Sequence, residues 1–138
     1  MSTRDIYITE FDWNRLRDVL KARTSVEGRD RDHLDSLENE LDRAHVVEPS
    51  AIPHDVVTMN SQVRIEDVDT GMENIYTLVF PSDASISEKK LSILAPIGTA
   101  LLGSRAGATV DWAVPAGMRT VQIKEVLYQP EAAGDYHL

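Results

Sequence analysis

Residues 48–53 read Glu48-Pro49-Ser50-Ala51-Ile52-Pro53, and the chain changes character there. Each proline removes a backbone donor and biases the residue before it away from helix. Upstream, apolar residues recur at helical spacing. Downstream, they alternate and are punctuated by turn residues. The segment marks a boundary: residues 1–48 are expected to form a helical hairpin, and residues 49–138 a β-rich domain.

Upstream of the boundary, Ile6-Tyr7-Ile8 reads as a short extended lead-in. Thr9 has the chemistry of a helix N-cap, with Asp12 three residues on as its capping-box partner. Trp13, Leu16 and Leu20 follow at spacings of 3 and 4, and Val19 widens the stripe. A helix is predicted from Glu10 to Arg23, broken at Gly28. A second helix is predicted from Asp30 to Val46, where Leu34, Leu37, Leu41 and Ala44 repeat at the spacing of a packed seam. Two such helices joined by a short loop make an antiparallel hairpin, each arm roughly 20–25 Å long.

Downstream, Val56–Met59, Gln62–Val68, Asn74–Phe80, Leu91–Leu94, Thr109–Val114 and Met118–Tyr128 are extended candidates. Asp69-Thr70-Gly71, Arg105-Ala106-Gly107 and Pro115-Ala116-Gly117 are turns. Pro96 suits the first position of a short helix, Ile97–Leu102, with Gly103 past its end. The fold class is α+β: a helical hairpin, then an antiparallel sheet with a helix on one face.

The 138 residues carry 14 basic and 23 acidic side chains, a formal charge of −9. The boundary does not separate charge: residues 1–48 have 8 basic and 12 acidic groups (8 − 12 = −4), residues 49–138 have 6 and 11 (6 − 11 = −5). This balance argues against direct nucleic-acid binding, which needs basic surface. With no cysteine, thiolate metal sites, disulfides and a cysteine nucleophile are excluded. No stretch approaches the ~20 apolar residues of a membrane span, and a cytoplasmic protein is expected.

Few residues carry a chemical signal. Glu27, Asp30 and Asp32 cluster at the expected hairpin tip. They could meet a cation or a basic cavity of a partner, but complementing the helix dipole accounts for them more simply. His33, His45, His54 and His137 show no ligand spacing, so no metal or cofactor is expected. His54 beside Asp55 lacks a nucleophile motif, and Gly98–Gly103 lacks the Lys-Ser/Thr of a phosphate loop. No catalytic residue is assigned. Trp13 and Trp112 fit core positions.

Three segments carry a family resemblance. Leu94-Ala-Pro-Ile-Gly-Thr-Ala-Leu-Leu-Gly103, then Gly107, Val110 and Pro115-x-Gly117, resembles the C-terminal domain of GreA/GreB transcription factors. Pro53-His-Asp-Val-Val-Thr-Met-Asn-Ser61 and Tyr128-Gln-Pro-Glu-Ala-Ala-Gly-Asp-Tyr136 resemble the regulator of nucleoside diphosphate kinase (Rnk) family, as does Glu40-Leu-Asp-Arg-Ala44. The resemblance spans nearly the whole chain.

It implies an N-terminal antiparallel coiled coil and an FKBP-like C-terminal domain. Gre-type proteins dock that domain on the rim of the RNA polymerase secondary channel and insert the coiled coil. By this resemblance Ala95, Pro96, Ile97 and Gly98 are the docking element. Starting and packing a helix is the competing role for Pro96 and Ile97. Gre factors stimulate transcript cleavage through acidic residues at the tip of a longer coiled coil. The tip Thr24-Ser-Val-Glu-Gly-Arg-Asp30 does not reproduce that motif. The expected function is therefore polymerase binding in competition with Gre factors, without cleavage stimulation and without enzymatic activity. Three alternatives stand beside it: true cleavage stimulation; control of nucleoside diphosphate kinase, directly or through gene expression; and, from the FKBP-like fold alone, peptidyl-prolyl isomerisation. The last lacks an aromatic-lined pocket.

Overall fold

The computed structural model describes residues 6–21, 37–85, 87–114 and 117–135. Strand β1 (Tyr7–Thr9) leads into helix α1 (Glu10–Lys21). Thr9 caps it as expected: its Oγ1 accepts the Asp12 N–H at 3.1 Å. Residues 37–43 form α2. The two helices are joined by the Trp13 indole N–H, which donates to the Leu41 carbonyl at 3.2 Å, and by an Arg17–Asp42 ion pair.

The second helix does not run to Val46. It ends at residue 43, and β2 (His45–Val47) pairs in parallel with β1. The β-branched Val46-Val47 and the Ile6–Ile8 stretch offer each other backbone partners, which outweighs continuation of the helical period. The His45 N–H donates to the Ile6 carbonyl at 2.9 Å, and the His45 ring stacks on Tyr7 with centroids 5.0 Å apart. This ribbon closes the base of the hairpin.

Five strands form the main sheet: β3 (Gln62–Asp67), β4 (Glu73–Val79), β5 (Lys90–Ser92), β6 (Thr109–Val114) and β7 (Gly117–Tyr128), in the order β5-β4-β3-β7-β6. All neighbours are antiparallel except β5, which runs parallel to β4 at the edge. Strand alternation sends Val63, Ile65, Leu78, Val110, Val121 and Ile123 into the core. On the opposite face Arg64 pairs with Glu125 at 3.2 Å and Glu73 at 3.8 Å, and Lys124 with Glu66 at 3.8 Å. Val56–Met59 is not a strand. Val56 makes a single bridge to Arg105, and the chain then turns through Asn60, whose φ is +66°.

Helix α3 (Pro96–Leu101) starts at its proline, as the sequence indicates, and buries Leu101. A short helix the sequence reading did not anticipate, α4 (Pro130–Ala133), follows β7 and ends at Gly134 with φ +82°. One apolar cluster joins the halves: Ile6, Ile8, Leu16, Leu37 and Leu41 pack with Val57, Met59, Ile93, Leu101 and Leu102. Gly103 sits at the seam with φ +76°, and a Cβ there would lie 2.6 Å from the Ile6 Cβ. Its N–H donates to Val57 O at 2.8 Å, while its carbonyl accepts the Tyr7 N–H at 3.3 Å.

Candidate functional site

The expected docking element is the N-cap and first turn of α3, just after β5. The stretch Leu91–Ser104 contains no charged residue, in a chain of net charge −9. Its conformation is fixed by its own polar groups. Ser92 Oγ accepts the Leu94 N–H at 3.0 Å, and the Ser92 carbonyl accepts the Ala95 N–H at 3.0 Å. The Thr99 hydroxyl donates to Ile93 O at 2.7 Å. Ala95 is the N-cap of α3, with extended φ/ψ, and its carbonyl accepts the Thr99 N–H at 3.0 Å. Gly98 is required by proximity: a Cβ there would lie 2.2 Å from Ser92 O. Leu94, Ala95 and Ile97 are half-buried, and Leu94 and Ile97 pack on the core. The structure brings Ala95, Pro96, Ile97 and Gly98 into one pre-ordered, uncharged turn. Such a surface can bind without first losing conformational freedom.

The other candidates are not gathered there. Glu27, Asp30 and Asp32, with His33 and His137, lie outside the described residues. Asp55 does not serve His54: it takes a two-pronged pair of hydrogen bonds from Arg105, at 3.0 and 3.1 Å. Among the described residues, no three His, Cys, Asp or Glu side chains gather where a metal ion could sit. No described helix is long and apolar enough to cross a membrane.

The two segments that carried the Rnk resemblance meet in space. Gln129 is buried and its Nε2 donates to both Pro53 O and Val56 O at 2.8 Å. The Thr58 hydroxyl donates to Glu131 at 2.7 Å, across 73 residues of sequence. The Tyr128 hydroxyl donates to Asp135 at 2.5 Å. That bond, with burial next in weight, pushes the phenol pKa up to about 12.

Sequence reasoning missed the polar centre of this junction. The sequence makes Asp12 the capping-box partner of Thr9, but its side chain turns into the protein. It is 1% exposed, and its Oδ2 accepts the Met59 N–H at 3.1 Å while Oδ1 takes Arg15 Nη2 at 2.5 Å. Burial pushes its pKa up to about 6; the bond to Arg15 opposes the rise, and the nearby Glu131 charge adds to it. An acidic residue facing the apolar stripe, one position before Trp13, was the signal available.

Comparison with known proteins follows the same division. The family described as transcription elongation factor GreA/GreB, C-terminal part, matches residues 52–128, and the Rnk N-terminus family matches residues 4–47. The chain is 42% identical over 139 aligned residues to a protein of Escherichia coli (strain K12) named regulator of nucleoside diphosphate kinase, covering 100% of both. It is 34% identical over 97 residues to transcription elongation factor GreA of Syntrophus aciditrophicus, covering 70% of this chain and 60% of that protein. A solved structure described as prokaryotic transcription elongation factor GreA/GreB from Nitrosomonas europaea superposes with a TM-score of 0.75 at 42% identity. It covers 90% of this chain and all of the other.

Proposed function

The chain belongs to the GreA/GreB family and carries an Rnk-type N-terminal part, and from that premise we propose that it binds RNA polymerase at the secondary channel and competes there with Gre-type factors. The relatives bear the names of regulators and elongation factors, which makes this chain a transcription-factor-like regulator related to Gre factors. The observation that carries the polymerase reading is the uncharged turn Ala95–Gly98, which opens α3 just after β5 and is held by hydrogen bonds to Ser92 and Ile93. In this reading the turn docks on the channel rim and the hairpin points inward. The protein acts in the cytoplasm, as a non-enzymatic occupant.

It does not stimulate transcript cleavage. From the sequence each arm is roughly 20–25 Å by helix rise, short beside the Gre coiled coil, and the tip segment Thr24–Asp30 lacks the Gre acidic motif. A carboxylate must come within ~2 Å of Mg²⁺ to ligate it. Glu27, Asp30 and Asp32 instead meet basic groups in the channel; unchanged polymerase affinity after replacing all three by Asn would remove that role. The test of the whole reading is cleavage in a backtracked elongation complex. Added alone, the protein is expected to leave the transcript uncut; added with GreA or GreB, it is expected to slow their cleavage. Stimulated cleavage, or no effect on Gre-driven cleavage, would overturn it.

The full-length relative's name supports a second reading, control of nucleoside diphosphate kinase level or activity. Retention of purified kinase on the immobilised protein would favour direct control. Absence of retention together with polymerase binding would leave control through transcription.

A further inference from the structure

The Thr58–Ser61 turn is held from several sides. Within it, Ser61 N–H donates to Thr58 O at 3.0 Å and Thr58 N–H to Ser61 Oγ at 2.9 Å. Asn60 N–H donates to Leu78 O on β4, and the Thr58 hydroxyl to Glu131 on α4. Both Thr58 and Ser61 are buried. The turn is thus part of the sheet domain. The Met59 N–H between them is donated to Asp12, 47 residues earlier, on α1. In that contact the turn is the fixed side and the helix the side being placed.

Arg15, one turn along α1, reinforces the placement. Its guanidinium pairs with Asp12 and lies over the Phe80 ring at the end of β4, 4.5 Å from the centroid, as well as over Phe11 at 3.9 Å. The charged groups facing Asp12 are Arg15 on its own helix and Glu131 on α4.

We infer that Asp12 is a positioning residue: its carboxylate seats α1 on the Thr58–Ser61 turn and sets the direction in which the helical arm leaves the sheet domain. A buried, directional hydrogen bond fixes rotation and tilt, which apolar packing of Leu16 and Leu20 alone specifies poorly. The polymerase consequence rests on the proposed function, since an arm must enter a channel at the right angle. The geometric claim does not.

The chain has no cysteine, so paired cysteines introduced at exposed Asp18 on α1 and exposed Asp111 on β6 can carry spin labels. With wild-type Asp12, pulsed dipolar measurement should give one narrow distance. Asp12→Ala should broaden it while the sheet domain keeps its circular dichroism. It should also weaken competition against a Gre factor about tenfold, the effect of one buried donor left without an acceptor. Asp12→Asn, whose amide oxygen can still accept the Met59 N–H, should restore both. A folded Asp12→Ala protein with the narrow distance of the parent would overturn the inference.

Should the alanine variant not fold, the wild type decides. The Met59 amide resonance should move in a single step as Asp12 ionises near pH 6, and a flat Met59 amide across that range would overturn the inference. If the wild type fails to bind polymerase at all, the proposed function falls. The distance and amide readouts still judge Asp12.

Discussion

Replacing Asp12 by Asn should flatten the pH dependence of stability between about pH 4 and pH 6. Burial raises the Asp12 pKa from 3.8 to about 6, against the lowering influence of Arg15 and the Met59 N–H. The folded state therefore holds a proton over a window in which the unfolded chain has released it. Stability from this group is fully present below the unfolded pKa and is lost as pH rises through the folded one. Two pH units at about 1.4 kcal/mol each amount to about 3 kcal/mol. The group is 1% exposed, so solvent screening takes little from that figure. The assay is urea unfolding of both proteins at half-unit steps from about pH 4 to pH 7.5. Other carboxylates titrate in both chains, so the difference curve isolates Asp12. The wild type should lose about 3 kcal/mol relative to Asp12→Asn on going from pH 4 to pH 7, with most of the change below pH 6. Parallel curves would refute the reasoning, as would a difference of opposite sign.

Two further substitutions probe the docking turn and the chain-end clasp. Gly98→Ala places a Cβ 2.2 Å from the Ser92 carbonyl, so the first turn of α3 must shift away from β5. A loss of about 3 kcal/mol in chemical unfolding is expected, with weaker polymerase binding beyond what the lost stability explains. Gln129→Ala removes the side chain that bonds both Pro53 O and Val56 O. It should cost about 3 kcal/mol, and Gln129→Glu should cost no less, because a carboxylate repels two carbonyl oxygens.

Much of this architecture was legible because local chemistry and tertiary fold agree. Pro96 and Gly103 bracket α3 as a proline start and a left-handed finish require. The alternation in Gln62–Asp67 and the turn at Asp69–Gly71 place β3 and its return. Where local and distant preferences compete, the reading failed. Ala44 continues the helical count, but β2 forms because Ile6–Ile8 lies across from it, which no window around Val46 reveals. Val56–Met59 looks extended, yet its backbone is claimed by the distant Ser104 and Asp12 and by Ser61 of the following turn. The short α4 rests on Pro130 and Gly134, signals present in the sequence but carried by only four helical residues.

The site was legible in the same uneven way. Ala95–Gly98 could be singled out by resemblance, and the structure adds why Gly98 has no substitute. An acid on the apolar stripe marks Asp12 as unusual, but its partner, the Met59 N–H 47 residues on, is set by the tertiary fold. The tip residues Glu27, Asp30 and Asp32 lie outside the described residues.

The most direct test of the account is competition for core RNA polymerase. Wild-type protein and a Pro96→Asp, Ile97→Asp variant would each be titrated against a labelled Gre factor, with the variant's fold checked by circular dichroism. The wild type should displace the label, and the folded variant, with two charges in the otherwise uncharged turn, should not. A wild type that leaves the Gre factor bound at saturating concentration would contradict the account.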